Sequence, residues 1–305
     1  MKKVSIFMMA AIVAASSVFI SCSKDDPYDP KEGPVISVKL GDVDVANNGT
    51  VKVKVRDAKD LVISYEADGG IKEITVTGGS LTAPTFSVGD LTAKAEKSFT
   101  FSTVEKIVIE TTITDNQKAA SDGTDTPTED KTATFKFTID VEAYGAISSW
   151  SDKLLGSFTE KMYGSSFASS TGTVYTLTNA TANSALIDFI YSDGATFAKT
   201  LVAPSVNNEI TALNSSAVRN WTTRNATKFG KLTVTTAQFD GCNDDALITA
   251  NVTDAAVKDN IISDLNKDDI VGFTTAAGKK GLIKVGTIVQ TVDTKSMAIF
   301  VKVQK

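Results

Sequence analysis

Histidine is absent from all 305 residues. Its absence removes Ser-His-Asp and Cys-His nucleophile systems, His-ligated zinc and the usual near-neutral general base. Carboxylate-pair chemistry needs no histidine and stays open. Cysteine is nearly as scarce, with only Cys22 and Cys242. No cation or histidine neighbours Cys242, which stands among Asp240, Asn243 and Asp244, so it reads as a structural thiol. Basic runs are missing too, and the net charge is −5. That balance argues against nucleic acid, whose backbone demands clustered Lys and Arg. Tryptophan is limited to Trp150 and Trp221.

What the chain does have begins at its start. Lys2 and Lys3 precede an apolar run from Val4 to Ile20, and Ser21 leads into Cys22. Such a run spans only about 25 Å as a helix, short of the roughly 20 residues a comfortable membrane span needs. Charged n-region, apolar run and small residues before a cysteine are the marks of an export signal. Phe19-Ile20-Ser21-Cys22 resembles the lipobox of bacterial lipoproteins, with Phe19 in place of the usual aliphatic residue. The resemblance implies cleavage before Cys22 and lipidation of that residue; a plain secretory leader or an uncleaved anchor are the alternatives. Loss of residues 1–22 takes Lys2 and Lys3 away and brings the net charge to about −7. It also leaves Cys242 alone, so no internal disulfide is expected. Several acyl chains on Cys22 would give stable membrane anchoring, where one chain is marginal.

Residues 23–33 are polar with two prolines and read as an acidic tether. Residues 34–143 alternate with a period near two. Val51, Val53 and Val55 alternate with lysines, Leu61, Ile63 and Tyr65 oppose Val62, Ser64 and Glu66, and Phe135, Phe137, Ile139 and Val141 continue the pattern. Short Val-, Ile- and Thr-rich strands between Gly, Asn and Asp turns predict an antiparallel sandwich of about 110 residues, immunoglobulin-like in size. The polar stretch from Asp115 to Lys131 holds Asp115, Asp122, Asp125 and Asp130, oxygen donors of the kind Ca²⁺ takes, but reads more simply as a solvated loop. The stretch resembles the extended final hairpin of polycystic-kidney-disease-type bacterial domains.

Residues 146–305 are less regular. Thr173–Leu177, Leu186–Tyr191 and Lys199–Ala203 read as strands, and Thr253-Asp254 as the cap of a helix carrying Val257, Ile261 and Leu265 on one face. Ile270–Thr274, Gly281–Val289 and Met297–Val303 read as a closing meander, with Gly278 in its first turn. The expected fold class is therefore mainly β: an immunoglobulin-like sandwich followed by a β-rich domain with one or two short helices.

No catalytic signature appears in either half, and neither a cofactor nor a metal is expected. Asp264-Leu-Asn266-Lys-Asp268-Asp269 imitates the opening of a calcium loop. It has Asp269 where glycine is required and Thr275 where a bidentate acid belongs, so it reads as a polar turn. Gly278-Lys279-Lys280-Gly281 lacks the spacing and the Ser or Thr of a phosphate loop and reads as a hairpin turn. Asn225-Ala226-Thr227 matches a glycosylation acceptor by coincidence. Trp221 with Arg224 and Asn225, and Tyr191 with Asp193, offer a different chemistry. Aromatic faces stack on sugar rings while Asp, Asn and Arg satisfy hydroxyls. Those five are the candidate ligand residues, set against the commoner role of large aromatics in core packing.

Lipobox, acidic Ser23-Lys24-Asp25-Asp26, immunoglobulin-like spacer and β-rich end together resemble surface lipoproteins of polysaccharide-utilisation systems in Bacteroidetes. The resemblance implies an outer-membrane protein, lipid-anchored and facing the exterior, that binds glycan or a host surface without catalysis. The alternative is a structural or adhesive lipoprotein contacting outer-membrane protein partners. A glycosidase built on two carboxylates is a third expectation.

Overall fold

The computed structural model describes residues 33–116, 129–157, 163–194, 197–206 and 216–305. Cys22, the leader, the tether before Gly33, and Asp122 and Asp125 lie outside the described residues. The chain divides into two compact units, the first running to Asp140 and the second from Val141 to Lys305, with Ser102–Val104 grouped with the second. Both are mainly β, and every helix described belongs to the second.

In the first unit, β1 (Val35–Leu40), β2 (Val43–Asp44), β4 (Ala58–Glu66) and β6 (Thr92–Thr100) form a sheet of order β2-β1-β4-β6. The strands β3 (Gly49–Lys54), β5 (Ile71–Thr77), β7 (Glu105–Asp115) and β8 (Thr132–Glu142) form the other, of order β3-β8-β7-β5. The two sheets and their crossovers give an immunoglobulin-like arrangement. The alternation read from the sequence is the burial pattern: Leu61, Ile63 and Tyr65 are fully buried from one sheet, Ile109, Ile113, Phe137, Ile139 and Val141 from the other. Each such side chain is worth about 1.5–3 kcal/mol in burial. A polar link deep in this core joins Tyr65 to Thr111, at 2.7 Å. Gly70, at φ +84° after the Ala67–Gly70 turn, has a backbone only glycine adopts without strain.

In the second unit, one five-stranded sheet runs β11 (Thr173–Tyr175), β10 (Ser166–Ala168), β12 (Phe189–Ser192), β13 (Thr200–Val202), β15 (Ile261–Ile262). The other runs β14 (Lys228–Leu232), β16 (Ile270–Thr274), β17 (Lys280–Gln290), β18 (Lys295–Gln304), β9 (Ile147–Gly156). Phe167, Phe189, Tyr191 and Leu201 from the first meet Phe229, Phe273, Ile283 and Ile299 from the second in a shared core. Both sheets are also covered outside. Ile190 and Val202 pack outward among Ala180 of α1 (Leu177–Ala182), Val218 of α2 (Ser216–Arg219) and Trp221. On the other side, Ile270 and Leu282 pack against Phe239 of α3 (Thr236–Gly241) and Ile248 of α4 (Ala246–Asn251).

Strands covered on both faces lose the alternation of a half-exposed strand, and β12 is buried at all four positions. The helices, at most six residues each, are too short to show a helical period. α3 is held by a capping box, Thr235 with Gln238, which stabilises an isolated turn.

The helix expected at 253–265 does not form. Thr253 closes one turn through Ala256 and Val257; the chain then runs beside β14, where Phe229 N–H donates to Asp259 O at 2.6 Å. Ile261 and Ile262 pair with Val202 and Leu201. Val257 and Leu265, read as one helical face, enter cores on opposite sides of the β14-containing sheet. The residues were apolar for two different partners.

Candidate functional site

The structure buries the aromatic residues that were expected to face a ligand. Tyr191 is 0% exposed and Trp221 5%. They lie on opposite faces of one sheet, Tyr191 in the core between sheets and Trp221 in the outer cluster. An exposed stacking platform at either ring is therefore ruled out. The Tyr191 hydroxyl donates to Asp193 Oδ2 at 2.9 Å, and burial first, then the Asp193 charge, push its pKa far up. Asp193 is itself buried and accepts from Gln290 Nε2 and Lys199 N–H, so it locks strand ends together. Arg224 is half-buried. Trp150, half-buried, donates from Nε1 to Ser169 O at 2.7 Å and covers Gly172. These residues do not converge.

Of the candidates, Asn225 lines a concave site among the described residues. A cleft of about 420 Å³ opens in the second unit, with Asp188, Ser169, Asn225, Leu186, Ala277 and Lys279 among its walls. That volume lies within the range of small-ligand sites. Three pieces of local structure build it. The loop between β10 and β11 carries Ser169 and Ser170, and Gly172 at φ +66° lets it turn under the Trp150 ring. The short 3₁₀ turn Ser184–Leu186 leads into β12 and presents Leu186 and Asp188. The β16–β17 hairpin presents Thr275 to Lys279, closed by Gly278 N–H on Thr275 O. Gly278-Lys279-Lys280-Gly281 is thus part of a hairpin, as read.

Asp188 is the buried acid of this cleft, 7% exposed. Its Oδ2 accepts from Ser169 N–H at 2.7 Å and Ser169 Oγ–H at 2.6 Å. Burial raises its pKa above the ordinary 3.8, and the two Ser169 bonds only partly oppose that. Asn225 Nδ2 donates to Ala185 O at 2.9 Å and Ile187 O at 2.8 Å, pinning the segment that carries Leu186 and Asp188. The residue was singled out for a glycan contact; its amide nitrogen serves the cleft wall. The sequence signal for the site was Asp188 itself, a lone acid inside the apolar run Leu186–Tyr191.

Among the described residues no group of three or more His, Cys, Asp or Glu is placed to hold a metal. The Asp264–Asp269 stretch is a turn in which Asn266 N–H bonds Asp269 Oδ2 and Lys231 pairs with Asp269 at 2.8 Å. Cys242 is buried, its thiol pKa raised chiefly by that burial, and its Sγ donates to Asp244 O. The first unit has a groove of about 540 Å³ along β6 and β7. None of its polar side chains is buried, and Lys97 closes over Phe99 while bonding Gly79 O and Ser80 O. No family model matches this chain, and no curated protein or solved structure matches it either.

Proposed function

We propose that this protein is a non-catalytic surface lipoprotein that binds glycan through its second unit, with the immunoglobulin-like unit as spacer. The reading rests on one observation: a concave cleft with a buried carboxyl group, hydroxyls and the apolar Leu186 at its walls. Sugars need directional partners for hydroxyls and a little apolar surface for ring C–H groups. Hydrolysis would need a second acid across the cleft, and Asp188 is the sole Asp or Glu among its described walls. The anchor is carried by the lipobox and acidic tether of the sequence.

Affinity electrophoresis against plant, host and microbial polysaccharides tests the reading, with Ala277→Trp as the cleft-blocking control. Retardation by one glycan, lost on blocking, supports it; no retardation by any refutes it. Lipid labelling of the chain, abolished by Cys22→Ala, tests the anchor separately. The structural or adhesive alternative draws on the exposed Val88, Leu91, Val104 and Val108, apolar side chains suited to protein contact.

A further inference from the structure

Asp245 stands at the N-cap of α4 yet makes no side-chain cap bond there. An aspartate in that place ordinarily serves the first turn of its own helix; here Asp244 Oδ1 takes the Ala246 N–H, at 3.0 Å. The Asp245 carboxylate reaches 100 residues back along the chain instead. Its Oδ1 accepts the Gly145 N–H at 2.6 Å, and its own N–H donates to Gly145 O at 2.9 Å. Its Oδ2 accepts from Gln304 Nε2 at 3.0 Å. Gln304 Oε1 in turn accepts the Lys280 N–H at 3.1 Å, and Gln304 lines the cleft beside Lys279 and Lys305. Gly145 belongs to the segment by which the chain enters the second unit, just after Val141. Beyond it, Lys305 N–H closes on Ala146 O at 3.1 Å and Ile147 pairs with Gln304.

We propose that Asp245 is a brace that makes this entry segment part of the cleft wall, so that a displacement at Gly145 is felt in the β16–β17 hairpin. The carboxylate holds one partner on each oxygen, and the Gln304 amide has its two ends assigned by Asp245 and Lys280. A shift of the carboxylate therefore loosens the Gln304 amide and, with it, the Lys280 bond. Glycine at 145 is what lets the carboxylate come so close. A Cβ there would stand 2.7 Å from Asp245 Oδ2 and 3.0 Å from its Cγ. The obstacle is the end of a side chain, so in Gly145→Ala the carboxylate moves and the backbone stays. The brace acts whatever the cleft holds, and it stands apart from the glycan reading.

Amide hydrogen exchange, followed by NMR on the purified full chain, reads the two ends of the brace at residues 145 and 280. Gly145→Ala displaces the carboxylate from the entry side, and Asp245→Ala removes its bonds to both ends. Gln304→Leu cuts the link to the hairpin and leaves residue 145 on Asp245. The core amides of Ile283 and Ile299 report loss of the unit as a whole. The expected result is Lys280 exchange faster by about fivefold or more in Gly145→Ala and Asp245→Ala, beyond any change at Ile283 and Ile299. Gln304→Leu should speed Lys280 alike and leave residue 145 at the parent rate relative to that core. Lys280 exchange that holds its parent rate in Gly145→Ala, or rises only as far as Ile283 and Ile299 do, overturns the brace. The milder Gly145→Ala carries the test where Asp245→Ala unfolds.

Discussion

The Tyr65 hydroxyl donates to Thr111 Oγ1 across the core of the first unit. The direction follows from counting hydrogens: Thr111 Oγ1 gives its one proton to Thr75 O at 2.9 Å, so the 2.7 Å contact must be donated by Tyr65. Tyr65→Phe therefore leaves Thr111 with its donor bond intact and is expected to lower stability by about 1 kcal/mol. Thr111→Val strands both the Tyr65 hydroxyl and the Thr75 carbonyl and is expected to lower stability by roughly 1–3 kcal/mol. Urea unfolding of the two variants checks the order; equal losses would reverse the assigned direction.

Trp221 belongs to packing, and its removal should read out as stability. Trp221→Ala empties the outer cluster around Ile190 and Val202 and is expected to lose about 3–5 kcal/mol. Its Nε1 is buried without a hydrogen-bond partner among the described residues. Trp221→Phe, which removes that group and keeps an aromatic ring, should lose markedly less. Thermal melts of the pair decide it.

The raised pKa of Asp188 ties both stability and binding to pH. A group whose folded pKa lies above its unfolded value contributes most below the unfolded value, here 3.8, and that contribution is lost as pH rises through the folded value. Asp188→Asn should thus be at least as stable as the parent at pH 7 and lose that advantage below pH 3.8. Binding runs the other way. Because Oδ2 already accepts twice and no hydrogen bond among the described residues reaches Oδ1, the acid proton sits on Oδ1 and removes the carboxylate's charge from the cleft wall. Glycan affinity should fall as pH drops through the raised value, with Lys279 and Lys305 the other charged side chains along the walls. Melts and calorimetry from pH 3 to 8 check both signs.

Gly172 governs the loop that carries Ser169. A Cβ there would stand 2.3 Å from Trp150 Cδ2, on a backbone at φ +66°. Gly172→Ala is expected to lower stability by roughly 1–3 kcal/mol and to weaken cleft binding by displacing Ser169. Adding Trp150→Ala relieves the contact but not the backbone, so the double variant should lose less than the sum of the singles. A double-mutant cycle by urea unfolding measures the coupling.

The legibility of this chain tracked how many faces of each strand meet solvent. β4 and β7, open on one face, wrote their alternation into Leu61-Ile63-Tyr65 and Ile109-Thr111-Ile113. The hairpin of Ile270–Thr274, Lys280–Gln290 and Lys295–Gln304 was legible through its length and Gly278. β12 and β13, short and buried at every position, left no period and were legible as strands only through their residue types, and Val257-Ile261-Leu265 mimicked a helix because three separate contacts fell at helical spacing. For the same reason Tyr191 and Trp221 looked like ligand groups: a residue type carries no record of what covers it. Of the candidates, Asn225 reached the cleft through its backbone-pinning amide, a role set by tertiary contacts that no local pattern encodes. Asp188 was visible as an acid among apolar residues, but only the fold shows that it lines a cleft.

The edges of the second unit bear on how copies behave when crowded. β14 is bridged by Asp259, β9 receives Gly164 O at its end, and β11 and β15 are only three and two residues long. β9 is ten residues long at the edge of its sheet, and an irregularity in its pairing between Trp150 and Lys153 breaks its regular course. In the first unit the longest edge strand described is β6, nine residues, and it is studded with Lys94, Glu96 and Lys97. Charges of that kind keep strand edges from joining. Dense arrays of this protein would owe part of their colloidal freedom to the charges along β6 and part to the break in β9, so neutralising Lys94 and Lys97 is expected to open one edge to strand pairing.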